Sequence, residues 1–595
     1  MDVNTLARDW AALPQLSSIR ASGDGRWAFF CAMGDEVDEV FAVPTDGALP
    51  PERLTFGTDH HAIRDVSDDG MLLVLAQSTH ASEHDHLLLL DRRVGNRLRL
   101  LTPKQDSHYV YGGRLTRDGG VIFVADYDHD AEAVVEGACV WWQSLTTGAR
   151  RLLARTRHFF DRAPSLSPSG ERVLLNVNER SPGGTQIWVM NLDGSGLHEV
   201  LSFGLRNTTR GDWLDDDRVA FVTDRGGRDT VGVVTLDTGQ VDWLGGEPDV
   251  LPFEVLRGAQ GFALEAHAAG QSLALLWDGT FRAQPNRSGR RSLLPRAALP
   301  DGGWIAEAYD ADAPHDLVRL APDGSCLRLT RAAVSGRTHV RPQDFRWTAP
   351  DGQPCQGWLY RPEGASKGFV AYVHGGPTWH SEDWVNPKIG FWVQAGYTVL
   401  DPNYRGSTGF GYHWREAVKD DGWGGREQSD IRAGIEACVA QGYAIKGKIA
   451  VAGNSYGGFS SWFALTRHAD LVDAAIPMCG MYRLDIDYHQ TGMPHGRDYS
   501  REMMGGTPEE FPEKYANASP GNFISQIRGQ VMIVHGLADS NVGPENTHAA
   551  VRDLTAAGIA HEVVLYHDEG HGVFRRTNVA DYLARTAAFL DRAFA

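Results

Sequence analysis

Three polar side chains, far apart in the chain, are of the types that together turn an alcohol into a nucleophile. Ser455 stands in Gly453-Asn454-Ser455-Tyr456-Gly457-Gly458, directly after the apolar run 449–452. Such a G-x-S-x-G turn between a strand and a helix lifts the serine hydroxyl clear of a sheet, and glycines two positions away keep side chains off neighbouring backbone. A serine needs a base, and the base needs an orienting carboxylate; in this setting they follow in the order serine, acid, histidine. The acid expected is Asp539, just past the apolar run 531–534, and the base expected is His571, in Asp568-Glu569-Gly570-His571-Gly572. His567 competes for the base but sits too close to its strand end. Asp568 and Glu569 read as loop or capping groups, and His535 as structural. Attack on a carbonyl also needs donors for the oxyanion. The N–H of Tyr456 is one. The other is expected from His374-Gly375-Gly376-Pro377, with Gly376 first and Gly375 second. The chemistry implied is acyl transfer through a covalent serine intermediate.

The elements that would hold these groups are legible from residue 343 onward. Apolar runs at 369–373, 397–400, 449–452, 474–478, 531–534 and 562–565 alternate with helical stretches such as 427–441 and 545–557. Near-continuous apolar strands separated by helices predict a doubly wound, mostly parallel sheet, with its site at the carboxyl ends of the strands. This is the α/β-hydrolase arrangement.

The preceding 300 or so residues change period. Turns at Asp24-Gly25, Asp69-Gly70, Asp118-Gly119, Ser169-Gly170, Asp216-Asp217, Gln260-Gly261 and Asp301-Gly302 each precede a β-rich run. Their spacing of about 40–50 residues is that of four-stranded propeller blades. A second turn lies inside each unit, from Asp46-Gly47 to Asp323-Gly324. Asp-Gly pairs predict type I′ hairpins, which need positive φ at both central residues. The expectation is a seven-bladed β-propeller over 16–335, rather than β-sandwiches with coincidental turns, followed by a catalytic domain over 336–595. The sixth unit is degenerate.

Composition narrows the function. Of 595 residues, 57 are Lys or Arg and 76 Asp or Glu, a net charge of −19 that argues against gripping nucleic acid or an anionic membrane. A hydrophobic share of 42% supports large cores. There is no apolar run of transmembrane length and no secretory leader pattern. The six cysteines are scattered with no C-x-x-C pair, so a reducing, cytoplasmic compartment is expected. No H-E-x-x-H or cysteine–histidine cluster occurs, so neither metal nor cofactor is expected.

Together, His374-Gly375-Gly376-Pro377, Asn403-Tyr404-Arg405-Gly406-Ser407-Thr408-Gly409-Phe410-Gly411, the Ser455 turn, His535-Gly536-Leu537-Ala538-Asp539 and the His571 loop resemble the prolyl oligopeptidase family of serine peptidases, and within it the acylaminoacyl-peptidase and aminopeptidase branch. The resemblance is close in the C-terminal half and architectural in the propeller. It implies an N-terminal helix, here 1–15, packed on the hydrolase domain, and an active site in a cavity between domains that screens out large folded proteins. It also implies an arginine near the triad acid that binds an upstream carbonyl; Asn541 stands there instead, which tilts the expectation toward a single aminoacyl group. The segment 482–511, with Tyr488 and Met493, either lines the side-chain pocket or forms a surface insertion. Arg405 is expected to be scaffold. The function expected is a serine exopeptidase releasing an N-terminal amino acid from short peptides or aminoacyl amides. Acylaminoacyl or dipeptidyl release, hydrolysis of an aminoacylated small metabolite, and esterase activity are the alternatives. Homo-oligomerisation is left open.

Overall fold

The computed structural model describes residues 2–160, 162–245, 250–283, 292–331 and 340–595. Within them, seven four-stranded antiparallel sheets follow one another at 17–53, 61–100, 110–156, 165–201, 209–244, 251–283 and 292–328. Each is a strand–turn–strand, loop, strand–turn–strand unit. The second strands are buried on both faces, with Phe29, Leu73, Phe123, Leu174 and Phe221 fully enclosed between neighbouring blades. Ile19 and Phe30 of the first blade share a cluster with Ile305 and Leu317 of the last, which closes the ring by apolar packing.

Except at Gly95-Asn96, where both φ are positive (71° and 59°), the expected turns lack the two positive φ values of type I′. At Ser22-Gly23-Asp24-Gly25 only Gly25 is left-handed (φ 72°), and its N–H donates to the Ser22 carbonyl at 2.9 Å. Gly70, Gly119 and Gly170 repeat this pattern toward Ser67, Thr116 and Ser167. The turn is a type I turn followed by a left-handed glycine. The aspartate is there for its side chain: Asp24 accepts from the Ser22 hydroxyl at 2.6 Å and from the Arg26 N–H at 3.0 Å, and Asp69 does the same with Ser67 and Met71.

The second domain is one eight-stranded sheet. In chain order its strands are β1 (Gln343–Thr348), β2 (Pro354–Tyr360), β3 (Phe369–Val373), β4 (Thr398–Asn403), β5 (Ile449–Asn454), β6 (Ala474–Met478), β7 (Gln530–Gly536) and β8 (His561–Tyr566). The order across the sheet is β1-β2-β4-β3-β5-β6-β7-β8, parallel except at β1–β2 and β2–β4. The antiparallel β1–β2 edge was not among the expected strands. It alternates buried Phe345 and Trp347 with exposed Asp344 and Arg346, a half-buried pattern unlike the apolar central runs.

Helices α1 (Val3–Ala11), α2 (Pro387–Gln394), α3 (Arg426–Ala440), α4 (Tyr456–Arg467), α5 (Leu484–Gln490), α6 (Gly496–Met504), α7 (Glu545–Ala556) and α8 (Arg576–Ala593) cover both faces. Side-chain alternation divides the two cores. Ile449 and Val451 of β5 pack with Ile431, Ile435 and Phe459, while Ala450 and Ala452 pack with Trp392, Leu583 and Leu590. Helix α1 joins the second core: Trp10 is 1% exposed, lies over Gly390, and donates from Nε1 to Gln394 at 2.9 Å. The domain boundary expected at 335/336 lies outside the described residues. Among the described residues no helix is long and apolar enough to cross a membrane.

Candidate active site

The turn between β5 and α4 is built as its glycines require. Ser455 has φ 59° and ψ −120°, a backbone region costly for any residue with a side chain. A Cβ on Gly453 would sit 2.4 Å from the Val373 carbonyl, and one on Gly457 2.0 Å from the same oxygen. Strand β3 therefore passes close beneath the turn, and only glycine fits on either side of the serine. The Ser455 N–H donates to the Met478 carbonyl at 2.9 Å, which pins the turn to β6.

Asp539 follows β7. Its Oδ1 accepts the N–H groups of Asn541 (2.9 Å) and Val542 (3.0 Å), and its Oδ2 accepts from His571 Nδ1 at 2.8 Å. His535, fully buried, presents Nε2 at 3.3 Å from the same Oδ2 while bonding Thr547 and Val542. Burial works against an ionised Asp539, yet the His571 charge and hydrogen bonds from both histidines hold it well below the usual carboxylate range. Burial likewise opposes a charged His571, but Asp539 in contact, with Glu83 and Asp487 in electrostatic reach, pushes it up to about 9.

The His571 loop is anchored from several sides. Asn454, beside the serine, donates to the His571 carbonyl at 3.2 Å. Glu569 is fully buried and accepts from the Arg575 N–H and the Asn578 side-chain amide, tying the loop to the start of α8. No hydrogen bond joins Ser455 Oγ to the imidazole among the described residues, a looseness common in substrate-free sites. An imidazole oriented through Nδ1 by a buried carboxylate keeps Nε2 available to take a proton.

Tyr456 opens α4 and its hydroxyl donates to Glu427 at 2.9 Å. Opposite, a Cβ on Gly375 would lie 3.5 Å from Ser455 Cβ, so this loop faces the serine, while Gly376 is left-handed (φ 120°) and folded against Thr378. The Tyr499 hydroxyl reaches the Gly376 carbonyl at 3.4 Å. Asn541 is half-buried on the acid loop.

Two residues expected at the pocket have packed surroundings. Tyr488, 9% exposed, belongs to the hydrolase core beside Tyr515, and Met493 packs against the apolar cluster of the third and fourth blades. The 482–511 segment is thus a docking surface: His158 of the propeller meets Asp498 at 3.0 Å, and Phe159 stacks on His495. Arg405 is buried in a two-pronged pair with Asp430 and acts as scaffold.

The propeller also reaches the site, which the residue pattern did not reveal. Loop 79–85 of the second blade lies on both active-site loops: a Cβ on Gly570 would stand 1.8 Å from the Ala81 carbonyl, and Ser540 donates to the Ser82 carbonyl. Tyr109 donates to Ser540 at 2.7 Å. Cys479, Asp539 and His571 offer ligand atoms within 4.8 Å of one another. Burial pushes the Cys479 thiol well above its ordinary pKa, so it presents a neutral sulfur, a poor metal ligand.

Residues 384–595 match the family model described as the prolyl oligopeptidase family. These residues carry the catalytic domain of that family of serine peptidases. It is 25% identical over 616 residues to dipeptidyl aminopeptidase BIII of Pseudoxanthomonas mexicana, covering 97% of this chain and 86% of that protein. Among solved structures it is similar to puromycin hydrolase, with a TM-score of 0.87, 20% identity, and coverage of 100% of this chain and 96% of that one. Acylaminoacyl peptidase of Pyrococcus horikoshii gives a TM-score of 0.76 at 16% identity, covering 99% and 97%. At these identities the structural likeness concerns the fold: a propeller joined to an α/β-hydrolase domain.

Proposed function

We propose that this peptidase is an exopeptidase that releases the N-terminal amino acid of short peptides or aminoacyl amides. Ser455 Oγ attacks the carbonyl carbon as its proton passes to His571 Nε2. Asp539 holds the imidazole tautomer, and the amides of Tyr456 and Gly376 stabilise the oxyanion. Collapse breaks the C–N bond, and the departing amine takes the proton from His571. Water, deprotonated by the same imidazole, then releases the acid from the serine ester. The observation that carries this reading is the 2.8 Å Asp539–His571 pair, on loops tied to the Ser455 turn through Asn454. The propeller loop over Gly570 and Ser540 supports a preference for short chains, because a folded protein could not enter beneath it.

Dipeptidyl release is the second reading, favoured by the near full-length similarity to a protein named dipeptidyl aminopeptidase. The six cysteines, all free thiols, support a reducing, cytoplasmic location. The test is turnover of chromogenic aminoacyl anilides, with dipeptidyl and N-acetylated counterparts, by wild type and Ser455→Ala. Turnover of the aminoacyl set with its loss in Ser455→Ala supports the proposal, and preference for the dipeptidyl set selects the second reading. Undiminished turnover by Ser455→Ala refutes both.

A further inference from the structure

A triad acid needs one bond, the one that orients the base. Asp539 is given several more. Its Oδ1 takes two backbone N–H groups, and its Oδ2 takes His571 Nδ1 at 2.8 Å. A second imidazole arrives at the same oxygen: His535 Nε2, at 3.3 Å. The sequence reads His535 as structural. Its ring is fully buried, with Nδ1 and the Thr547 hydroxyl sharing a hydrogen bond at 2.7 Å and Nε2 lying 2.9 Å from the Val542 carbonyl. A carbonyl oxygen only accepts, so Nε2 carries a hydrogen, and that hydrogen is shared between Val542 and Asp539.

The contacts close a ring. Val542 gives its N–H to Oδ1 and takes the His535 hydrogen on its carbonyl, so both oxygens of Asp539 are fixed relative to one side chain on β7. Thr547, 3% exposed on α7, holds the imidazole from its other edge. The carboxylate plane turns only by breaking one of these bonds. The remaining groups that face the acid are Cys479, just beyond β6, whose thiol bonds it, with Tyr109, Glu83 and Asp487 in electrostatic reach.

We propose that His535 is a positioning residue of the reaction: by sharing its Nε2–H with Asp539 Oδ2 it fixes the plane of the acid and draws charge from it, and so limits the proton affinity of His571. The inference rests on the serine mechanism proposed above and adds to it what sets the strength of its base. A carboxylate whose charge falls on one donor grips an imidazolium tightly; each further donor on the same oxygen spreads that charge and loosens the grip. Burial opposes a charged His571, yet Asp539 already pushes it up to about 9. With the His535 donor gone, the grip tightens and the imidazole becomes neutral only at still higher pH. Any positive charge on His535 acts in the same direction, because a cation beside Oδ2 opposes the imidazolium of His571.

The experiment follows kcat/KM against pH, with a neutral ester, in wild type, His535→Gln and His535→Asn. A glutamine amide reaches about where Nε2 stands and still donates to Oδ2, whereas asparagine is too short. The basic limb is expected to rise by about 0.5–1 pH unit in His535→Asn, lowering the rate about three- to tenfold below the limb and far less above it, and to stay near that of wild type in His535→Gln. A limb that does not rise in His535→Asn, or that rises equally in His535→Gln, overturns the proposal. A uniform loss of rate with the limb unmoved is the mark of a merely structural residue and overturns it too. Should His535→Asn fail to fold, Thr547→Val decides in its place: it keeps the shape of the side chain and lets the ring turn from Oδ2, so its limb should also rise, and an unmoved limb overturns the proposal. Ser455→Ala separates this inference from the mechanism beneath it. Undiminished turnover by Ser455→Ala refutes the serine mechanism, whereas its loss of turnover, with an unmoved limb in His535→Asn, removes only the role of His535.

Discussion

The pH profile of hydrolysis tests the electrostatics of the site most directly. In the proposed mechanism the base, His571, works only as neutral imidazole, and it is pushed up to about 9 from an ordinary 6.5. The charged form is thus favoured in the free enzyme, and kcat/KM should climb with pH through a limb well above the imidazole range. The rise from 6.5 to about 9 corresponds to about 3 kcal/mol at 1.36 kcal/mol per pH unit. Most of it belongs to Asp539, in contact at 2.8 Å; the other charges in reach are Glu83 and Asp487, with His535 and the neutral Cys479 alongside. Glu83 is exposed, so water screens it, and Glu83→Gln should move the limb down by about 0.5–1 pH unit. Asp487→Asn, in a buried position, should move it about as far or further. A neutral ester substrate is the right probe, since an α-amino group titrates near 8 and would bend the profile. Initial rates from pH 5.5 to 10 at constant ionic strength give the limb. A limb near 6.5 that is the same in wild type and Glu83→Gln would refute the reasoning, because it would mean that neither carboxylate is felt by the base.

Two further tests concern the frame around the site. Gly457→Ala should destabilise the hydrolase domain by about 3 kcal/mol or more, since the new Cβ meets backbone 2.0 Å away at Val373; Gly148→Ala, with open space but φ 72°, should cost only about 1–2 kcal/mol, and thermal unfolding of the two variants checks the contrast. Glu382 is one of the hydrolase domain's contacts with the propeller, accepting from the Ser272 hydroxyl and the Tyr309 hydroxyl, and against the cost of burial it is held at about 2, foremost by the neighbouring His380 and then by these hydroxyls. Its depressed pKa means stability that is present above the unfolded carboxylate value and lost as pH falls from about 4.5 toward 2, by about 3 kcal/mol in all; Glu382→Gln should flatten the acid dependence of the melting temperature over that window, and an unaltered slope would deny Glu382 this role.

What could be foreseen depended on whether a physical demand falls on one stretch of chain. The Ser455 turn could be read because β3 passes so close that Gly453 and Gly457 admit no side chain, and that demand is written within five residues. The blades could be counted because most hairpins carry a left-handed glycine, although the turn type was misjudged at the Asp-Gly pairs: the aspartates serve as side-chain acceptors and do not adopt positive φ themselves. The β1–β2 edge escaped notice because an edge strand with one buried face lacks the continuous apolar run of its neighbours. An aromatic or a methionine near a site looks the same in sequence whether it lines a cavity or fills a core; Tyr488 packs in the hydrolase core and Met493 against the propeller. Glu83 and Asp487 had no signal at all. No local rule links a carboxylate in a blade loop to one on a helix some 400 residues later, and both come within electrostatic reach of His571 only in the folded chain, where loop 79–85 is set against Gly570 and Ser540. The candidate catalytic turn was legible because backbone geometry constrains the neighbours of Ser455; a side chain constrained only by a ligand leaves no such mark, so three-dimensional placement is the first level at which it can be recognised.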